Sequence, residues 1–239
     1  MPVAARSWKF ESSPGHHYER VGAKLIDGYC SVKIKNPTIT LHQGDLPADV
    51  RFIDSVAVDS ETLGLNLARD KLCLVQLSAG DGTCHLVQLD RSAYDAPNLK
   101  AVFTDSSLVK IFHYARFDVA AVYRYLGVSC SSVYCTKIAS KLVRTYTDRH
   151  GLKDLCRELL GFDLSKEQQS SDWGAAELSK EQQIYAASDV LYLHAIREKL
   201  DLMLARESRT ELAQSCFDFL GSRVALDLEG WGDNDIFAH

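Results

Sequence analysis

The order of apolar patterns along the chain predicts an α/β fold, a mixed central sheet flanked by helices. Three observations carry this. Strand-length apolar runs dominate residues 54–112, a hairpin signal joins two of them, and helical periodicity takes over from residue 115. At 239 residues with 46% apolar composition, the chain can enclose one sizeable core.

The elements follow in order. Residues 1–38 mix Gly, Pro, Ser and His without periodicity. They read either as a flexible extension or as the product of a start assigned too far upstream, with the domain proper spanning 39–239. Strands are expected over 54–59, 71–77 and 83–89, and Gly80-Asp81-Gly82 supplies the turn between the last two. A short helix over 97–103 and a strand over 109–112 come next. Helices are then expected over 115–126, 135–143, 152–160, 179–206 and 208–220. Ser179 and Gln182 have the spacing of a capping box at the start of the fourth of these. No internal repeat or low-complexity tract interrupts the series. About fifty residues follow the last motif described below, too few for tandem helical accessory domains, so a bare catalytic domain is expected.

Composition narrows the function classes. No apolar stretch approaches a membrane span, and the first residues lack the apolar region of a secretory signal. The seven cysteines form no CxxC pair, which argues against a zinc site and for reduced thiols in the cytoplasm. Cys73, Cys84 and Cys156 fall in apolar patterns as small core residues.

Five side chains carry the chemistry. Asp59 and Glu61 follow the apolar run Ser55-Val56-Ala57-Val58, and residues two apart in a strand point to one side. Both carboxylates are therefore expected together at the strand's end. Asp118 follows a strand-like segment, at the start of a helix. Tyr185 and Asp189 are four apart in a helical pattern and share one face. Each fragment alone has ordinary explanations, such as a solvated loop, a helix-starting acid or a buried ring. All three together, in this order and on these elements, gather the hard oxygen ligands that suit two Mg²⁺ or Mn²⁺ ions and phosphodiester cleavage.

At these residues the chain resembles a known superfamily. VDSETLGL, HYARFDVAAVY and YAASDVLYLH are similar to the three exonuclease motifs of the DEDD superfamily, in the tyrosine-bearing branch that includes ribonuclease D. LHQGDLP, CTKIASKLVRTYTDRHGLKDLC, SKEQQSSDW and LDLEGWGDNDIFAH resemble the nano-RNase C family, short ribonuclease D-like exoribonucleases of alphaproteobacteria. The similarity runs from Ile39 to His239 and includes long stretches without metal ligands.

This resemblance implies a ribonuclease H-like fold and a set of roles. Asp59, Glu61 and Asp189 would hold one ion, and Asp59 and Asp118 a second. One ion acidifies a water and the other stabilises the leaving 3′ oxygen, while Tyr185 orients that water. Thr62, Gly64 and Leu65 fall where the family meets its 3′ nucleotide; Leu65 is either a wedge between bases or ordinary core. His113 contacts ribose or phosphate, or is a hydrogen-bonded structural histidine. Gln169, Ser171 and Trp173 lie where such enzymes approach substrate, although a lone tryptophan more often packs than stacks. The resemblance also implies a homo-octameric ring. Apolar Leu226, Leu228, Trp231, Ile236 and Phe237 in the tail need a surface to bury against, on this subunit or a neighbour.

Net charge bears on substrate length. At −5, the chain lacks the basic excess of a protein that holds long nucleic acid. Lys137, Lys141, Arg144, Arg149, His150 and Lys153 form a local basic cluster, equally readable as a solvated helix face. The expected activity is 3′–5′ hydrolysis of RNA dinucleotides and very short single-stranded RNA. The rivals are a broader exonuclease on longer RNA or DNA and an inactive RNA-binding scaffold.

Overall fold

The structure, a computed structural model, describes residue 34, residues 36–164 and residues 171–238. Gln169 and nearly all of the N-terminal extension therefore lie outside the described residues. Six strands form one mixed sheet: β1 (Thr38–Gln43), β2 (Ser55–Thr62), β3 (Leu72–Ser78), β4 (Thr83–Gln88), β5 (Val109–Phe112) and β6 (Val133–Cys135). Their spatial order is β1-β4-β3-β2-β5-β6, with β2, β3 and β4 antiparallel and both flanks joined in parallel.

Every residue of β3 is buried, as befits a strand covered on both faces. The Gly80-Asp81-Gly82 turn joins β3 to β4 as expected, with both glycines at positive φ. Helix α1 (Pro97–Thr104) opens without a side-chain cap of its own. Asp45 supplies one from a distance, accepting from the Asn98 and Leu99 N–H groups at 2.9 Å.

Helix α2 (Ala115–Ala121) widens into a π turn over Val122–Leu126 and ends at Gly127 in the left-handed region. Helices α3 (Thr136–Val143) and α4 (Leu152–Leu155) follow, α4 again passing into a π turn over Cys156–Leu160. Helix α5 (Lys180–Val190) begins with the expected Ser179/Gln182 capping box. It packs across β2, β3 and β4, so its buried face looks onto the centre of the sheet. Helices α6 (Leu193–Arg206), α7 (Thr210–Asp218) and α8 (Leu220–Leu226) complete the fold.

Four expectations need correction. β2 continues through Thr62, so Asp59 and Glu61 lie within the strand instead of at its end. Residues 133–135 form edge strand β6, so the helix expected from 135 begins at Thr136. The helix expected over 179–206 breaks at Leu191–Tyr192 into α5 and α6. That expected over 208–220 is two helices, and the second runs on to Leu226. Strand β1 was not anticipated and starts at Thr38, one residue before the expected domain boundary.

The tail is only partly buried. Arg116 on α2 donates to both carboxylate oxygens of Asp227, at 2.5 and 2.7 Å, and to the Gly232 carbonyl at 3.2 Å. Arg223 adds a third hydrogen bond to Asp227 at 2.7 Å. Leu228 packs against the core, yet Trp231 and Phe237 remain 50% and 76% exposed. Among the described residues, no helix is long and apolar enough to cross a membrane.

Candidate active site

Three elements converge on one cavity. Strand β2 contributes Asp59 and Glu61 from the same face, and α5 lays Tyr185 and Asp189 over that face. β5 runs parallel to β2 and delivers the chain to α2, whose first turn carries Asp118. Carboxylate oxygens of Asp59, Glu61 and Asp189 all lie within 4.8 Å of one another. Asp118 is buried beside them and accepts a hydrogen bond from Ser60 Oγ at 2.6 Å. It stands outside the tight triad.

The electrostatics follow from crowding. Burial is the main cause that pushes the Glu61 carboxyl well above its ordinary range, and the charges of Asp59, Asp189 and Asp118 add to it. Burial likewise raises Asp59, opposed by a hydrogen bond from the Ser60 backbone. Asp118 is raised by burial and by Asp59. Among the described residues, no Lys or Arg forms an ion pair with Asp59, Glu61 or Asp118. Oxygen donors packed this closely fit hard divalent cations. Burial and the neighbouring Asp189 also raise the Tyr185 phenol.

The cavity holds about 720 Å³. Besides the carboxylates, Thr62, Gly64, Leu65, His113, Ser171, Trp173 and Tyr185 line it. All the expected site residues among the described ones are thus brought together.

The match to known families bears on this geometry. A family model described as 3′–5′ exonuclease matches residues 44–205, about two thirds of the chain. The chain belongs to the 3′–5′ exonuclease family. Ribonuclease D of Bartonella henselae is 31% identical over 166 residues, 68% of this chain and 40% of that protein. This 3′–5′ exonuclease therefore spans about 40% of the length of that relative. Brucella melitensis NrnC is 54% identical with a TM-score of 0.82, covering 84% of this chain and 98% of that one. Structures of NrnC bound to pGG and with bound Mg²⁺ give TM-scores of 0.82 and 0.81 at 53% identity. The chain is thus a short ribonuclease D-like exonuclease of the nano-RNase C type, with the ribonuclease H-like fold.

The structure decides between several local readings in this exonuclease. Leu65 is not core: it is 87% exposed at the cavity mouth. Gly64 has a local reason to be glycine, because a Cβ there would overlap the Asp70 carboxylate. That carboxylate accepts from Asn66 N and Arg69, and Tyr125 pins the same loop through the Leu67 and Asp70 carbonyls. The Thr62 hydroxyl donates to the Gly64 carbonyl and closes the turn. Trp173 is 4% exposed, with its ring 6.1 Å from that of Tyr185, so it packs behind the tyrosine.

His113 is held by its Nδ1, which shares a hydrogen bond of 2.9 Å with the Thr136 hydroxyl, itself 3.1 Å from the Phe112 carbonyl. Burial, with some help from Lys137, lowers the His113 pKa to about 3.

Residues not anticipated complete the mouth. Ser60 holds Asp118, although on a strand it sits between the two ligand positions and gives no sign of this. Tyr114 caps α2 in the left-handed region, at φ 71°, with the Lys137 ammonium 4.2 Å from its ring centre. Phe117, Gly151, Leu152, Lys153 and Asp154 also line the cavity.

Proposed function

We propose that this protein is a divalent-metal-dependent 3′–5′ exoribonuclease acting on RNA dinucleotides and very short single-stranded RNA in the cytoplasm. The observation that carries this is the triad of carboxylates within 4.8 Å at the floor of a cavity sized for one small ligand. Asp59, Glu61 and Asp189 are the residues to hold one ion, and Asp59 with Asp118 a second. Bound there, Mg²⁺ or Mn²⁺ supplies Lewis acidity that makes a water nucleophilic near neutral pH and offsets charge on a leaving oxygen.

The chain's own side chains do the rest. Tyr185, one turn before Asp189, is placed to orient the attacking water by a hydrogen bond. Leu65, exposed at the mouth, is placed to wedge between the two bases of a dinucleotide, with the Tyr114 ring beside it. His113 is neutral and held through Nδ1 by Thr136, which leaves Nε2 for a ribose or phosphate group. Ser171 contributes a hydroxyl to the wall, and Gln169 belongs to the adjoining segment outside the described residues. This assignment makes the protein a tyrosine-type DEDD enzyme. The exposed Trp231 and Phe237 are suited to bury against a second copy, in line with a homo-oligomeric ring.

The similarity to NrnC, whose structure with pGG has a 53% identical chain, supports the dinucleotide preference, as does the net charge of −5. A second reading, trimming of longer RNA or DNA, draws on a neighbouring groove of about 1030 Å³ that shares Leu65, Tyr114 and Phe117 with the site. Turnover of 5′-labelled RNAs of two to seven nucleotides separates the two. Fast loss of the dimer beside a nearly inert heptamer is expected; equal rates across lengths would remove the dinucleotide preference.

A further inference from the structure

Gln76 sits in the middle of β3 and is fully buried. In the antiparallel pairing of β2 with β3 it stands directly opposite Asp59. Directly opposed residues present their side chains to the same face, so Gln76 and Asp59 neighbour one another on one face of the sheet. Among the described residues, neither its amide nitrogen nor its amide oxygen has a hydrogen-bond partner. Its strand neighbours Leu74, Val75 and Leu77 are fully buried, as is Leu86, its partner on β4.

Burying an unpaired amide in such surroundings opposes folding, and an apolar side chain of similar size would not. Asp59 meanwhile accepts from the Ser60 backbone, and a carboxylate can accept more than one such bond. An orphaned donor group and a carboxylate thus face each other across one strand pair.

We infer that Gln76 is a positioning residue for the metal centre proposed above. With a cation held by these carboxylates, its Nε2–H would donate to an Asp59 oxygen that the cation does not use and so steady that carboxylate, a hydrogen bond not formed in the metal-free protein. The inference rests on that reading of the carboxylates. A neutral amide fits the task because it holds the carboxylate without cancelling its charge, as Lys or Arg would. Gln76 does not line the cavity, so it acts through Asp59 and touches no substrate.

The test compares full-length wild type with Gln76→Leu and Gln76→Met, the second preserving side-chain length. Mn²⁺ affinity is measured by titration calorimetry, and Tm is measured in chelator. Both variants are expected to match or exceed the wild-type Tm in chelator while binding Mn²⁺ roughly 10-fold or more weakly. Unchanged Mn²⁺ affinity in both variants would overturn the inference and leave the metal centre standing. A lower Tm in both would also overturn it, since the amide would then already be satisfied as part of the core. Failure of the wild type itself to bind Mn²⁺ would instead overturn the metal centre.

Discussion

Replacing Glu61 by Gln should make the metal-free protein more stable while abolishing its activity. Its carboxylate lies within 4.8 Å of two others. At an effective dielectric near 20, two unit charges at that separation repel by about 3.5 kcal/mol. Neutralising Glu61 removes two such pairs, about 7 kcal/mol if all three carboxylates were ionised. Proton uptake caps the real figure, because a carboxyl neutralises at about 1.4 kcal/mol per pH unit above its ordinary pKa. At pH 8 we therefore expect a gain of about 2–4 kcal/mol, which for a domain of this size is roughly 4–16 °C in Tm. The assay is thermal denaturation in chelator, run beside diribonucleotide hydrolysis with Mn²⁺. A Glu61→Gln protein that melts lower than wild type in chelator would refute the reasoning, because the three carboxylates would then not be held against their mutual repulsion.

Three further outcomes follow from the same geometry. Leu65→Ala should leave Tm within about 1 °C, since the side chain is exposed, yet lower kcat/KM on a diribonucleotide by roughly 10-fold; steady-state kinetics on dimers check this. Ser60→Ala removes the hydrogen bond from the Ser60 hydroxyl to the buried Asp118 carboxylate, an interaction of a kind usually worth about 1.5–3 kcal/mol; a drop of roughly 10- to 100-fold in Mn²⁺-dependent turnover is expected. His113 has a folded pKa of about 3 against an ordinary value of 6.5, so between those values the unfolded chain binds the extra proton. Its contribution is therefore complete above pH 6.5 and is lost as pH falls toward 3. In chelator, wild type should lose about 2 kcal/mol more than His113→Asn between pH 6.5 and 4.5, read from denaturant midpoints.

Much of the site was legible before the fold because its residues obey short-range rules. Asp59 and Glu61 share a face through the two-residue period of a strand, and Tyr185 and Asp189 through the four-residue spacing of a helix. Those arguments survive although β2 proved longer than expected. The helix break at Leu191–Tyr192 was hidden because Leu191, Tyr192 and Leu193 are all buried and continue the apolar pattern with no Gly or Pro to mark it. Edge strands β1 and β6 escaped for another reason. β1 is half-exposed along its length and follows an aperiodic segment, while β6 has only three residues. Gln76 could not be singled out in Leu-Cys-Leu-Val-Gln-Leu-Ser, since its meaning depends on strand register, which links it to Asp59. The same holds for Ser60 and for the anchoring of His113 by Thr136, both set by partners far along the chain. Leu65 was left open between core and wedge until its exposure excluded the core.

The central claim is that these carboxylates form a metal-dependent centre removing nucleotides from the 3′ end of short RNA. The most direct measurement follows a 5′-labelled diribonucleotide and a 5′-labelled heptamer, each with Mn²⁺, with Mg²⁺ and with chelator. The account predicts rapid conversion of the dimer to labelled mononucleotide only when metal is present, with any heptamer products shortening stepwise from the 3′ end. Undiminished hydrolysis in chelator, or no hydrolysis of either RNA with metal, would contradict it.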